Sequence, residues 1–139
     1  MNFTGSQIKN EPIVFADSLA AGTSKTYKKE LTGNGHISKV TVTFAVGENG
    51  TLHIRPYVIL NGNILQELIN YGGNRYIAGD SEKFELECFQ PIETHAVLYV
   101  EADNQGAAAS MVDVIVNVNY EDYIQEASVI GYEGRNLRR

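Results

Sequence analysis

Tryptophan is absent from this 139-residue chain, and cysteine occurs once, as Cys88. A lone thiol excludes an internal disulfide and any zinc framework built from cysteines. No apolar run approaches the length of a bilayer-spanning helix. The opening Met1-Asn2-Phe3-Thr4-Gly5 lacks the basic-then-apolar design of a secretion signal, which points to synthesis in a cytosol. A Gly-x-Ser-x-Gly nucleophile elbow is missing, and so is a phosphate loop. Tyr71-Gly72-Gly73-Asn74 is too short for one and is not followed by Lys-Ser/Thr.

The chain does have alternation. In the run Ser110 to Tyr120, Val112, Val114, Val116, Val118 and Tyr120 fall on every second position, with mostly polar residues between them. Successive side chains of a strand point to opposite faces, so this spacing makes one apolar and one wet face. The same pattern predicts strands over Pro12–Leu19, Lys25–Leu31, His36–Val46, Leu52–Leu60, Glu82–Phe89 and Ala96–Ala102. Val40, Val42, Phe44 and Val46 share one face of the third. Lys25–Leu31 is polar enough for a sheet edge, where lysines discourage stray pairing. Pro56 places Leu52–Leu60 at an edge or beside a bulge. Ile64–Asn70 suits a helical turn as well as a strand. Gly47-Glu48-Asn49-Gly50 reads as a hairpin turn, and Asn61-Gly62-Asn63 as another turn.

Seven or eight short antiparallel strands at regular spacing predict an all-β fold, a single β-sandwich of jelly-roll-like or immunoglobulin-like order. A hydrophobic content of 43% in one chain of this length gives that domain a core. The expected division is an N-terminal arm over 1–11, the sandwich over 12–120 and a C-terminal arm over 121–139, both arms flexible.

Net charge is −6, unevenly placed. Three of the 11 bases, Arg135, Arg138 and Arg139, lie in the last five residues, so residues 1–134 hold 17 acids against 8 bases. An acidic body repels nucleic-acid phosphate and anionic membrane, so neither is an expected partner. A basic tail suits an acidic neighbour, including another copy of the chain.

Candidate chemistry is sparse, and no metal or cofactor is expected. His36 opens a strand, His53 points away from the core face between Leu52 and Ile54, and His95 opens another. Arg55 shares the face of His53 and would repel a cation, so the histidines read as unrelated surface groups. Asp80-x-Glu82 and Glu85-x-Glu87 offer paired carboxylates, but Glu85 and Glu87 lie opposite Phe84 and Leu86, as on any solvated strand face. Cys88 falls in phase with Phe84 and Leu86, hence toward the core. Tyr57, Tyr71, Tyr76 and Tyr99 are candidates for protein contact or sugar stacking.

The stretch Gly33–Tyr120 resembles the small β-sandwich proteins that decorate or complete tailed-bacteriophage virions. The resemblance is carried by the strand Ile37-Ser38-Lys39-Val40-Thr41-Val42, the turn Leu60-Asn61-Gly62-Asn63, the step Gly79-Asp80-Ser81, and the valine-rich strand Val112 to Tyr120 after Asp103-Asn104-Gln105-Gly106. It implies a non-enzymatic structural protein that bridges neighbouring subunits on a capsid, assembled in the host cytoplasm. Its partner would be the major capsid protein or another virion protein, with homo-oligomers open. The expected contacts are Phe3, Ile8, Val129, Ile130, Tyr132, Arg135, Leu137, Arg138 and Arg139. The competing readings are a carbohydrate- or receptor-binding module and an enzyme of the cupin or lipocalin-like sort. Missing metal-ligand spacing disfavours the cupin form.

Overall fold

A computed structural model describes residues 6–70 and 73–123. Eight strands follow in order: β1 (Ser6–Leu19), β2 (Ser24–Glu30), β3 (Gly35–Phe44), β4 (Leu52–Leu60), β5 (Ile64–Glu67), β6 (Glu82–Ile92), β7 (Val97–Asn104) and β8 (Ser110–Tyr123). They form two antiparallel four-stranded sheets, β1-β8-β3-β6 and β2-β7-β4-β5. The first strand pairs with the last, the second with the seventh, the third with the sixth and the fourth with the fifth. That nesting is a long antiparallel ribbon rolled into a sandwich, the jelly roll, and it decides between the two orders left open by periodicity.

The strand alternation does what the sequence pattern predicts. Val112, Val114, Val116 and Val118 are fully buried and face Leu98, Val100, Leu52, Ile54 and Val58 of the other sheet, all buried in one core. Each such side chain stabilises the fold by about 1.5–3 kcal/mol. β3 adds Ile37, Val40, Val42 and Phe44. The step from Ile37 to Val40 is three residues, which simple alternation forbids. Against β8 the register shifts between Ile37 and Lys39 so that β3 carries one extra residue, which turns both side chains inward; against β6 the shift at the same place puts the extra residue on β6. Phe44 meets Phe84 edge-on, with ring centroids 5.8 Å apart. Val46 lies beyond the strand and is exposed.

Several expectations change. Gly47-Glu48-Asn49-Gly50 is not a hairpin, because β3 and β4 belong to different sheets. Six of the seven connections cross between sheets, and only β4–β5, through Asn61-Gly62-Asn63, is a hairpin. Turn residues mark a reversal of direction but not the sheet to which the next strand returns. The ambiguous Ile64–Asn70 stretch is strand only over Ile64–Glu67. β4 is interior and unbulged despite Pro56. The Pro56 carbonyl accepts from the Leu68 amide at 3.2 Å on the β5 side. A residue in an antiparallel strand aims its N–H and C=O the same way, so the missing N–H of Pro56 faces the side where β5 has ended, and the β7 ladder loses nothing. β2, as expected, is an edge, and its lysines line it.

The strands also overrun the expected domain limits. Residues 6–11 are strand, paired with Val118–Tyr123 of β8. β3 pairs with β8 as far as Tyr120, and the Glu121 amide still donates to the Asn34 carbonyl at 2.8 Å; beyond that β1 and β8 continue as a two-stranded ribbon ending at the pair Ser6–Tyr123.

The flank between edge strands β1 and β2 is closed by Asp17. It accepts hydrogen bonds from the Tyr27 hydroxyl at 2.8 Å and from Lys25 at 3.2 Å. Loops at one end are pinned by buried polar groups. The Asn104 amide donates to the carbonyls of Leu19, Ala20 and Ala108, and its oxygen accepts from the Gly106 amide. Glu48 accepts from the amides of Ala45 and Met111.

Two predictions follow from this packing. A Cβ at Gly35 would lie 1.9 Å from the Asn119 carbonyl oxygen, a backbone atom of β8 that cannot move without breaking the sheet. Gly35→Ala should therefore cost about 3 kcal/mol, read as a lower midpoint in urea unfolding; an unchanged midpoint would refute the close approach. Burial, and then the bond to Asp17, push the Tyr27 phenol up to about 12 from its ordinary 10.0. The fold thus favours the neutral phenol. Its contribution is complete below pH 10 and is lost as pH rises toward 12. Asp17, held below the usual carboxylate range by Tyr27 first and then Lys25, contributes at neutral pH and loses its part on acidification. Tyr27→Phe should remove the most alkaline component of the tyrosinate absorbance titration. A titration curve identical in shape to that of the parent protein is the contrary result.

Candidate functional site

The outward side of β2-β7-β4-β5 carries most of the reactive side chains. Alternation on β4 turns His53, Arg55 and Tyr57 outward, and on β7 Tyr99, Glu101 and Asp103. Cross-strand register places His53 beside Asp103, Arg55 beside Glu101, and Tyr57 beside Tyr99, with Tyr57 also beside Glu67 of β5. The lower part of this face is a closed cluster. Arg55 binds the Glu67 carboxylate with two nitrogens, Nε at 3.1 Å and Nη2, while Nη1 reaches Glu101 at 3.4 Å. The guanidinium lies 4.5 Å from the centre of the Tyr57 ring, and that ring stacks on Tyr99 at 5.1 Å and 10°. Glu67 raises the guanidinium pKa further above its already high value, chiefly through this hydrogen bonding. Tyr57 is only 8% exposed although it points away from the core. Burial, followed by the Glu101 charge, raises its phenol pKa.

The upper part is open. His53 stacks on Tyr76 at 4.3 Å and 14°. Tyr76 arrives from the segment after β5, held by the neighbouring Ile77, which exchanges two backbone hydrogen bonds with Ile54 at 3.0 and 2.9 Å. Ile77 is buried, so the adjacent Tyr76 turns out and is 39% exposed. Asp103 accepts from Gln105 at 2.9 Å and from the Ser24 hydroxyl at 2.7 Å, which hold its carboxyl below the usual range. His53, Arg55, Tyr76, Glu101, Asp103 and Gln105 line a cleft of about 510 Å³. These groups supply hydrogen-bond acceptors, donors and an aromatic ring, with no serine or cysteine nucleophile among them. Among the described residues, no group of three or more His, Cys, Asp or Glu gathers to hold a metal ion.

The outward side of β1-β8-β3-β6 is plainer. Phe89, 71% exposed, stacks on His36 at 4.5 Å, and Asn119 contacts the same imidazole at 3.2 Å. Val14 is exposed beside Ile115. A second cleft of about 450 Å³ lies between the β3–β4 and β7–β8 loops. Half of its twelve lining residues are alanine or glycine.

Other candidates from the sequence are accounted for by structure. The three histidines are far apart in role: His36 against Phe89, His53 against Tyr76, and His95 2.7 Å from Glu30. Asp80 is a loop clamp, accepting from the amides of Gly47 and Glu48 at 2.7 and 3.0 Å. Glu85 pairs with Lys39 and Lys83 on the solvated face. Cys88 is half-buried against the core, and burial raises its thiol pKa. Ile8 lies in the backbone of the β1–β8 ribbon opposite Glu121. Phe3, Val129, Ile130, Tyr132, Arg135, Leu137, Arg138, Arg139 and Tyr71 lie outside the described residues. Sequence reasoning missed Glu67, Glu101, Asp103 and Gln105, and took Arg55 only as a repelling charge. The outward parity of His53-x-Arg55-x-Tyr57 and Tyr99-x-Glu101-x-Asp103 was visible, but not that β4 and β7 lie side by side.

No family model matches the chain, and no curated protein sequence matches it. Solved structures with similar folds include the Yersinia pseudotuberculosis-derived mitogen, with a TM-score of 0.49 at 8% identity over 88% of this chain and 97% of that one. A CBM32 domain from a family 31 glycoside hydrolase of Clostridium perfringens gives 0.44 at 16% over 77% and 75%. A chain of infectious bursal disease virus, Gx strain, gives 0.38 at 15% over 94% and 34%. These distant likenesses say nothing of what the chain does; its architecture, an all-β sandwich of eight antiparallel strands, rests on its own strand pairing.

Proposed function

We propose that this protein is a non-enzymatic structural component of a virion, a jelly-roll domain that decorates or cements a capsid surface and is assembled in the host cytoplasm. The observation that carries the reading is the β1–β8 ribbon. It runs past the end of β3 and finishes at the pair Ser6–Tyr123, so the flanking segments 1–5 and 124–139 attach side by side at one end of a rigid sandwich. Those segments hold Phe3, Val129, Ile130, Tyr132 and Leu137 for apolar contact and Arg135, Arg138 and Arg139 for an acidic partner. Ordering such segments on a neighbour costs entropy, which many identical sites on one shell offset by avidity. The partner is the major capsid protein or another virion protein. The acidic body disfavours nucleic acid and membrane. A carbohydrate- or receptor-binding module is the second reading, favoured by the open cleft at His53 and Tyr76.

The test is a chain ending at Tyr123, which keeps all of β8. It should unfold at the parent's urea midpoint, yet its copies per purified particle, counted by mass spectrometry, should fall roughly tenfold or more, a loss of at least ~1.4 kcal/mol per site. Full occupancy by the shortened chain, or absence of the full chain from particles, refutes the proposal.

A further inference from the structure

We propose that the cleft lined by His53, Arg55, Tyr76, Glu101, Asp103 and Gln105 binds a neutral carbohydrate. The inference deepens the second reading given above and rests on it, not on the virion reading: glycan binding tests the one, particle occupancy the other, so the failure of each is distinguishable.

The chemistry of the lining selects the ligand class. A sugar offers neighbouring hydroxyls, each both donor and acceptor, and one face of C–H groups. Carboxylates, amides and guanidinium are planar groups that engage such hydroxyls in pairs. Here Glu101 and Asp103 accept, Arg55 donates, and Gln105 does both. Tyr76 supplies an aromatic ring at the rim, the place a tryptophan would take in a chain that has one. At about 510 Å³ the cleft suits one or two sugar rings.

The groups are also held in place before any ligand arrives. Ser24 and Gln105 fix the Asp103 carboxylate, Glu67 fixes Arg55, and the stack with Tyr76 fixes His53. β4 and β7, the two central strands of the sheet, supply four of the six side chains. Less side-chain freedom is then lost on binding.

Charge narrows the class further. Arg55 is shared between Glu67 and Glu101, so its single positive charge is outweighed by those two carboxylates and Asp103, and the cleft is acidic. Sialic and uronic acids are repelled by those carboxylates, while a neutral sugar is not. A lone site of this kind binds at roughly millimolar to high-micromolar Kd.

The experiment titrates the isotope-labelled full chain with the methyl glycosides of glucose, galactose, mannose, N-acetylglucosamine and glucuronic acid, following amide NMR shifts. At least one neutral glycoside should give saturable shifts at His53, Tyr76, Asp103 and Gln105, and the glucuronide should bind roughly tenfold more weakly or not at all. Tyr76→Ala and Asp103→Asn should each weaken the neutral glycoside about tenfold. Phe89→Ala, on the opposite sheet, should leave it unchanged. Tyr76 is exposed and outside the strands, so its variant keeps the test decisive if Asp103→Asn does not fold. No shift with any neutral glycoside, equal binding of the glucuronide, or parent-like binding by the Tyr76 variant overturns the proposal.

Discussion

β8 is the strand on which the other pairings depend. It sits between β1 and β3, pairs with β1 along 14 residues, and buries Val112, Val114, Val116 and Val118 against the opposite sheet. Its partners come from far along the chain: Leu19 meets Ser110, and Val42 meets Val114. Closing loops of that length costs chain entropy before any contact repays it. The nested order then follows with little freedom. Once the last strand lies between the first and third, β7 falls beside β2 and β4, and β6 beside β3.

Burying one side of each sheet leaves the outer sides to polar chemistry, and the two sides are used differently. On β1-β8-β3-β6 the outward side carries Phe89 resting on His36, exposed Val14, and Glu85 paired with Lys39 and Lys83. On β2-β7-β4-β5 they form a connected charge and aromatic cluster around Arg55. That cluster accounts for an outward tyrosine, Tyr57, being nearly as buried as the core. An exposed ion pair adds little to stability. Here the gain is order: Arg55 stiffens the floor of the cleft in which His53, Tyr76 and Asp103 remain open.

Much of this was legible in the chain and some was not, for physical reasons. Alternation gave the strands, the inward valines of β8 and the outward side chain of His53, because side-chain direction is set locally with period two. The extra residue between Ile37 and Val40 hid the bulge, since both positions are apolar and either could be assigned to the inner side. Pro56 misled about the place of β4, because whether a lost N–H matters depends on which neighbour it would have faced. Which sheet each strand joins is decided by nonlocal pairing, so Arg55, Glu67 and Glu101 appeared as scattered charges, not as one cluster. The resemblance to virion proteins named a role, and it placed Asp103 and Gln105 only in a turn before the last strand, with no part in a cleft.

The placement of the ribbon and the cleft makes the two proposed roles compatible. The flanking segments join at Ser6 and Tyr123, at one end of the β1–β8 pair. Asn104, which directly follows Asp103, binds the carbonyl of Leu19 at the other end of β1. A 14-residue strand separates those ends by roughly 45 Å, and the cleft lies on the opposite sheet as well. The points from which the flanking segments leave the sandwich are therefore far from Asp103. Repetition over a shell would then turn a weak single site into a strong surface, because avidity multiplies affinities that are individually small. An attachment end remote from a shallow acidic cleft is what such a division of labour requires. A domain that used its cleft to hold the shell would instead need its flanking segments and its cleft on the same side.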